Sequence, residues 1–154
     1  MQDVAVIIVN YNTRDLLKDC LKSVLGSVGD VSYEIFVVDN ASSDGSAEMV
    51  RAEFPQVELI ENENTGFARA NNLVLRRLAA RYALLLNPDT VLPRDALSNS
   101  ASFMDANPGA GVMSAKLVRP DGSLDKACRR GFPTPWVAFS RLSGLGKLFP
   151  KNPA

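Results

Sequence analysis

The sequence contains no histidine among its 154 residues, and its only cysteines are Cys20 and Cys128. Without imidazole there is no histidine base, zinc ligand or triad member, so acid and base chemistry must fall to carboxylates. Two distant cysteines with no CxxC spacing argue against a disulfide scaffold and against a structural zinc site. Cys20 falls on the apolar face of a predicted helix, so we interpret it as a core residue.

Long apolar runs and excess charge are also missing. No window approaches eighteen apolar residues and no basic leader opens the chain, so neither a spanning helix nor a signal peptide is indicated. We expect a cytoplasmic protein, or one peripheral to the inner face of the membrane. The 17 basic and 17 acidic side chains balance, which argues against a nucleic-acid binder. Residues 1–115 carry 9 basic and 15 acidic groups, a net −6, and residues 116–154 carry 8 and 2, a net +6. The basic tail is therefore expected to meet an anionic partner or an acidic surface.

Two phosphate-binding motifs are absent. There is no GxGxxG after the first apolar run and no GxxxxGK[ST] anywhere in the chain. A dinucleotide-dependent oxidoreductase and a P-loop NTPase both lose their main support.

Short apolar runs alternate with segments of helical period, which predicts strands and helices in succession. The predicted strands cover residues 4–9, 34–39, 57–61, 83–87 and 111–118. The predicted helices begin after Thr13, run over 45–54 and 66–82, and follow Pro93 as far as Asn107. The order predicts one α/β domain with a mainly parallel sheet and helices on both faces. Three leucines in "LLLNPDTVL" (84–92) suggest that the fourth strand is buried deep in this sheet.

Polar side chains follow each of the first four strands. In a parallel sheet these carboxyl ends meet at one edge, where ligands bind. The residues concerned are Asn10, Tyr11, Asn12, Asp39, Asn40, Asn62, Asn64, Gly66, Asn87 and Asp89. Turn chemistry alone accounts for about half of such positions, Asn12 and Asn62 among them, but accounts poorly for Asp39 and Asp89.

This edge suits a diphosphate bound with Mg²⁺ or Mn²⁺, because such ions take few protein carboxylates and fill their shells with phosphate oxygens and water. Asp89 is the candidate ligand, held in place by the strand and by Pro88. Tyr11 offers a face for stacking on a base, and Asp39 offers acceptors for base N–H or ribose hydroxyl groups. Gly66 and the helix after it could lie near phosphate with Arg69, although a simple helix cap beside a solvated arginine explains these two residues equally well.

Four motifs in order carry a family resemblance: "VIIVNYN", "VVDNASSDGS", "NTGFARANN" and "LLLNPDTVL". They resemble the N-terminal half of family-2 glycosyltransferases with the GT-A fold, especially the rhamnosyltransferase-like branch. The resemblance spans roughly residues 4–135 and includes "DGSLDKACRRGFPT" (121–134). It implies a Rossmann-like donor-binding domain over 1–135, with 136–154 as an apolar, basic tail that begins an acceptor-side region.

The resemblance also implies an activity. It is the inverting transfer of a sugar from a UDP- or dTDP-sugar, with dTDP-rhamnose as one candidate, to a glycan or lipid-linked acceptor. Tyr11, Asp39 and Arg69 would contact the base and ribose, and Asp89 would bind the divalent cation. The other predicted donor-site residues are Asn10, Asn12, Asn40, Asn64, Gly66 and Asn87. Many members have Asp-x-Asp at the metal motif, whereas Asn87 stands first here and leaves one carboxylate. The general base is expected beyond Ala154, which makes the chain mainly a donor-binding half.

Two alternatives remain. One is a nucleotide-binding module or truncated fragment without transfer activity. The other is a nucleotidyltransferase, which would need a glycine-rich basic loop where this chain has "NYNTRD". The apolar residues of the tail indicate an interface with a missing half or a second copy, and two glycines make a membrane-bound helix less favoured. These apolar residues are Trp136, Phe139, Leu142, Leu145, Leu148 and Phe149.

Overall fold

The structure is a computed structural model that describes residues 1–125 and Cys128. The chain divides into two units, Met1–Ala110 and Gly111–Ala154. In the first unit strands and helices alternate as predicted. Their bounds are β1 Val4–Asn10, α1 Arg14–Leu25, β2 Tyr33–Asp39, α2 Ser46–Glu53, β3 Glu58–Glu61, α3 Phe67–Leu75, β4 Tyr82–Leu86 and α4 Ala96–Ala106.

The four strands form one parallel sheet in the order β3-β2-β1-β4. The register aligns Asn10 with Asp39 and Asp39 with Glu61, so β1, β2 and β3 end level with one another. Ile8 aligns with Leu86, the last residue of β4. The predicted α/β fold with a parallel sheet is therefore confirmed, and the carboxyl ends of all four strands lie along one edge.

Every residue of β1 is buried, because helices cover both faces of the sheet at this strand. On one face Val6 and Ile8 pack in a cluster with residues of α1, α2 and α4. On the other face Ile7 and Val9 pack with Ala70 and Val74 of α3. Burying each such side chain stabilises the fold by about 1.5–3 kcal/mol. The buried strand therefore holds the residues that follow it in a fixed position.

β4 is not buried as deeply as its leucines suggest. It is an edge strand that pairs with β1 alone among the described residues. Leu86 is buried, but Leu85 on the opposite face is 48% exposed. α3 packs against β1 and β2 on that face, so the described part of the first unit leaves Leu85 half covered.

α3 is shorter than the predicted helix over 66–82. It ends at Leu75, and the N–H of Arg77 already bonds the carbonyl of Val74 in a tighter turn at 3.0 Å. The N–H groups of Arg81 and Tyr82 instead donate to carbonyls near the start of β1, at 3.2 and 2.9 Å. Pairing with the N-terminal segment therefore overrides the helical propensity of "RRLAARY".

The predicted fifth strand over 111–118 is wrong. These residues belong to the second unit. Within its described part, Val112 is 89% exposed and one isolated bridge joins Val118 to Leu124. A single extended segment without a pairing partner or a covered face does not form a stable strand. The predicted turn that follows is present, with Gly122 at a φ of 81° and its N–H bonded to the carbonyl of Arg119 at 2.9 Å.

Two further predictions lie outside the described residues: the domain boundary after 135 and the apolar tail over 136–154. In the part that the structure does describe, no helix combines the length and the apolar character needed to cross a membrane.

Candidate functional site

The ends of β1 and β2 are joined by a buried pair of side chains, Asn10 and Asp39. The two residues are 0% and 3% exposed. Asn10 Nδ2 donates to Asp39 Oδ1 at 2.8 Å and to Ser42 Oγ at 3.0 Å. Asn10 Oδ1 accepts from Thr13 Oγ1 at 2.6 Å. The amide of Asn10 thus has a partner for both of its protons and for its oxygen, with none turned to solvent.

The carboxylate of Asp39 receives a donor on each oxygen. Oδ1 accepts from Asn10, and Oδ2 accepts from the N–H of Ser42 at 2.9 Å. Both partners donate, so each oxygen of Asp39 serves as an acceptor. Each oxygen has a further lone pair, which can accept a hydrogen bond from an N–H or O–H of a ligand.

Further hydrogen bonds hold the β1–α1 loop against the β2–α2 loop. The N–H of Asn12 donates to Ser42 Oγ at 2.9 Å, and Asn12 Oδ1 accepts from the N–H of Ser43 at 2.8 Å. The N–H of Arg14 donates to Asp44 Oδ2 at 2.8 Å. Partial burial opposes ionisation of Asp44, but hydrogen bonds from Ser46 and from the N–H of Arg14 outweigh it and hold the pKa of Asp44 below its ordinary value.

Two residues of these loops have left-handed backbone conformations. Asn12 has a φ of 53° and Ala41 a φ of 62°. Asparagine tolerates this region, whereas alanine is strained there and persists only where its surroundings hold it. Tyr11, which precedes Asn12 in the β1–α1 loop, is 53% exposed, so this loop presents its side chain to solvent.

The end of β3 joins the same network through Asn62. Its N–H donates to the carbonyl of Asp39 at 2.9 Å, and its Nδ2 donates to Asn40 Oδ1 at 2.9 Å and to Thr65 Oγ1 at 3.0 Å. The chain then enters α3 at Gly66, whose φ of 85° favours glycine. Arg69 lies exposed in the first turn of α3.

The end of β4 carries a carboxylate without a protein partner. Asp89 is exposed and forms no hydrogen bond or ion pair within the part of the chain that the structure describes. Beneath its loop the thiol of Cys20 donates to the carbonyl of Asn87 at 3.7 Å. Burial, with the nearby charge of Asp89, raises the pKa of Cys20 to about 12, so this thiol stays protonated. The prediction that Cys20 is a core residue is confirmed, since it is fully buried.

The donor set fits a divalent cation only when a ligand supplies most of its shell. The described residues contain no group of three or more acidic or thiol side chains that could hold a metal by themselves. One unpaired, accessible carboxylate at Asp89 suits Mg²⁺ or Mn²⁺ bound mainly by diphosphate oxygens and water. Asn87 is exposed beside it and adds an amide oxygen at most.

The ten residues predicted for the site thus fall into two groups. Hydrogen bonds join Asn10, Asn12, Asp39 and Asn40 in one network, directly or through Ser42 and Asn62. The others lie along the same edge outside this network: Tyr11, Asn64, Gly66, Arg69, Asn87 and Asp89. Thr13, Ser42 and Asp44 were missed, although the hydroxyl-rich run "ASSDGS" directly after β2 was a usable signal.

A parallel sheet with this polar edge defines an α/β protein built to bind a ligand at the carboxyl ends of its strands. The model of the family "Glycosyl transferase family 2" matches residues 5–149. The chain belongs to this family.

Curated relatives agree. The chain is 33% identical over 133 residues to TuaG of Bacillus subtilis strain 168, a protein named for a glycosyltransferase role in teichuronic acid biosynthesis; the match covers 80% of this chain and 51% of TuaG. It is 29% identical to the poly-beta-1,6-N-acetyl-D-glucosamine synthase of Staphylococcus aureus strain MSSA476, covering 99% of this chain and 40% of the synthase. The chain thus spans about half or less of the length of these two relatives.

Solved structures show the GT-A fold. A mannosyltransferase from Pyrobaculum calidifontis, in complex with GDP-Man and Mn²⁺, has a TM-score of 0.63 and 27% identity, covering 79% of this chain and 39% of that one. The Staphylococcus aureus TarS fragment 1-349 in complex with UDP-GlcNAc has a TM-score of 0.60 at 21% identity, covering 69% of this chain and 32% of that one.

Proposed function

We propose that this chain is the donor-binding part of an inverting glycosyltransferase that uses a nucleotide-diphosphate sugar and a divalent cation. The observation that carries the proposal is the carboxyl edge of the sheet. There the linked ends of β1, β2 and β3 present hydrogen-bond acceptors, and β4 presents the unpaired carboxylate of Asp89. Membership of the family and the Mn²⁺ and GDP-Man of the mannosyltransferase support this assignment.

Each part of the donor would meet different side chains. The exposed ring of Tyr11 would stack on the base, and the remaining lone pairs of Asp39 would accept from base N–H or ribose hydroxyl groups. Arg69 and the N-terminus of α3 at Gly66 would face phosphate oxygens. The guanidinium of Arg69 and the backbone N–H groups at the helix N-terminus would both attract the negative charge of the phosphates. Asn64 and Asn87 would line the same edge.

Asp89 would hold the cation on the diphosphate. When bound, the cation neutralises charge that develops on the leaving diphosphate. The carboxylate itself needs no rearrangement, because no described residue occupies it. Asn87, which stands where many relatives have a second aspartate, leaves Asp89 as the single carboxylate of the proposed site.

Inversion requires an acceptor oxygen to attack the anomeric carbon from the face opposite the diphosphate, with a base removing its proton. We assign that base to the acceptor-side part of the enzyme, beyond Ala154. The tail over 136–149, outside the described residues, would contact that part or a second copy of the chain. Transfer to a glycan or lipid-linked acceptor in polysaccharide biosynthesis, at a cytoplasmic site or at the inner face of the membrane, completes the proposal.

The nucleotide and sugar are the finer part of the proposal. UDP- and dTDP-sugars, including dTDP-rhamnose, follow from the motif resemblance. The UDP-GlcNAc bound to TarS is consistent with a uracil base, and the GDP-Man of the mannosyltransferase makes guanine a competitor. A nucleotide-binding module without transfer activity is the second candidate, since the described residues supply a donor edge and no identified base.

Calorimetry of UDP, dTDP and GDP, each with Mn²⁺ and with EDTA, tests the proposal. We expect at least one nucleotide to bind and Mn²⁺ to tighten it. Asp89→Asn should remove most of the Mn²⁺-dependent gain, about tenfold or more in affinity, and leave binding in EDTA unchanged. The control is Asp19→Asn on α1, whose exposed carboxylate lies 3.9 Å from Lys22 Nζ. Absence of binding for all three nucleotides would refute the function, and an intact Mn²⁺ gain in Asp89→Asn would remove Asp89 from the metal site.

A further inference from the structure

Asn10 differs from the exposed residues of the donor edge, because both protons of its side-chain amide are used inside the protein. It is fully buried, and its three hydrogen bonds go to Asp39, Ser42 and Thr13. A group that touches the donor must expose at least one free donor or acceptor. Asn10 therefore acts on the donor only through the groups it holds.

The groups it holds are those that decide what the site recognises. An amide N–H pointing at Asp39 Oδ1 at 2.8 Å requires that oxygen to accept. The second proton of the same amide fixes Ser42 Oγ, which in turn receives the N–H of Asn12 at 2.9 Å. One buried amide thus sets the orientation of the Asp39 carboxylate and joins the β1–α1 loop, which contains Tyr11, to the β2–α2 loop.

We propose that Asn10 is a positioning residue of the donor site: its amide keeps Asp39 oriented and acceptor-only, and so makes the site selective for a base or ribose group that donates. The inference rests on the proposed function. It reassigns Asn10 from a residue that contacts the donor to one that acts through Asp39 and Ser42.

The substitution Asn10→Asp separates positioning from mere packing, because it keeps size and shape and changes only the proton count. When protonated, the new carboxyl can donate to Asp39 as the amide does. When ionised, it places two carboxylates at the separation of a hydrogen bond in a buried position, which raises one of their pKa values strongly. The folded-state pKa then lies above the unfolded value, so the hydrogen bond to Asp39 is present at low pH and is lost as pH rises through that pKa. The bond that the native amide donates to Ser42 is missing at every pH, because a neutral carboxyl has one proton to donate.

The charged groups at the same edge of the sheet belong to neighbouring elements and stay the same in the variant. Arg14 begins α1, Asp44 precedes α2, Glu61 ends β3 and Asp89 follows β4. Of these, Asp44 accepts bonds from Ser46 and from the N–H of Arg14, and Glu61 pairs with Arg51.

Calorimetry with whichever of UDP, dTDP and GDP the parent chain binds, repeated across pH, gives the test. The affinity of Asn10→Asp relative to the parent should fall about tenfold or more between about pH 5 and about pH 8, and the ratio cancels titration of the ligand. Asn10→Ala should bind more weakly than the parent with no such trend. The matched control is Asn99→Asp, where an exposed asparagine on α4 donates to Asp95 Oδ2 at 2.9 Å; its ratio should stay flat.

Affinity is compared per folded molecule, from the calorimetric stoichiometry, so a loss of folding alone does not imitate the effect. If Asn10→Asp unfolds at the upper pH, Ser42→Ala carries the test, since it removes the hydroxyl joining Asn10 to Asn12 and should weaken binding without a pH trend. A flat ratio for Asn10→Asp together with parent-like binding by Asn10→Ala or Ser42→Ala would overturn the inference. A parent chain that binds no nucleotide at any pH would overturn the proposed function as well, which distinguishes the two failures.

Discussion

We expect the substitution Ala41→Gly to raise the free energy of unfolding of the protein. Its φ of 62° lies in the left-handed region, where a side chain with a Cβ costs about 1–2 kcal/mol. Ala41→Gly removes that cost, but it also increases the conformational entropy of the unfolded chain, which lowers the free energy of unfolding by about 0.4–1 kcal/mol. The side chain is exposed, so the change leaves no cavity. We therefore expect the free energy of unfolding to rise by about 1 kcal/mol, with a Tm increase of about 2–4 °C.

The conformation is imposed from both sides of Ala41. Before it, the N–H of Asn40 bonds the carbonyl of Asn10 at 2.9 Å. After it, the backbone N–H of Ser42 donates to Asp39 Oδ2. The hydroxyl oxygen of Ser42 accepts from the side-chain amide of Asn10 and from the backbone N–H of Asn12. Ala41 is the single residue between these two hydrogen-bonded positions. The bonds on both sides hold its backbone in the left-handed conformation despite the strain.

Urea unfolding followed by circular dichroism measures the change, with Ala52→Gly as the matched control. Ala52 is also exposed, but it lies in α2, where glycine should cost about 0.5–1 kcal/mol. The same substitution should thus have opposite signs at the two positions. A loss of stability in Ala41→Gly equal to that in Ala52→Gly would show that the strain argument is mistaken.

Two other predictions concern acid stability and turnover. Hydrogen bonds from the Ser32 hydroxyl and N–H, then from Arg81, lower the pKa of Asp3 to about 2 from an ordinary 3.8, so its stabilising contribution is present above about pH 4 and lost as pH falls toward 2. In thermal melts, the Tm difference between the parent and Asp3→Asn should shrink over that range, and a constant difference would contradict the assignment. In a radiolabelled-sugar assay the purified chain should transfer no sugar at a useful rate, since a general base alone contributes about 10²–10⁴-fold. Robust metal-dependent transfer would place the base within the chain, with Asp121 first to mutate even though hydrogen bonds from Ser123 lower its pKa.

The strands of the first unit were predictable because each is an apolar run that stops at a polar residue. That rule located the site edge as well, since Asp39 is the last residue of β2 and Asn87 directly follows β4. It failed at residues 111–118, where an apolar run pairs with no strand among residues 1–125, and it overstated the burial of Leu85. Composition along the chain reports what a segment could bury, whereas pairing depends on what the rest of the fold places beside it.

The hydrogen bonds between the side chains of the site could not be predicted in the same way. The bonds from Asn10 reach residues 29 and 32 positions away, and no local pattern specifies such partners. The left-handed conformations of Asn12 and Ala41 are also consequences of these long-range bonds. The sequence located the side chains at the edge, but not which of them face a ligand and which, like Asn10, face each other.

The strand order of the sheet has a consequence for synthesis on the ribosome. β1 is made first yet lies in the middle, and its second neighbour, β4, is complete only when residue 86 has been added. At about 5–20 residues per second, the interval after β2 is finished at residue 39 lasts roughly 2–10 s. During this interval the edge of β1 that later pairs with β4 has no partner strand. Because β1 is apolar from Val4 to Val9, this edge can pair with other chains. Variants that slow the arrival of β4 should therefore show their defect as aggregation of nascent protein, while the molecules that finish folding bind normally.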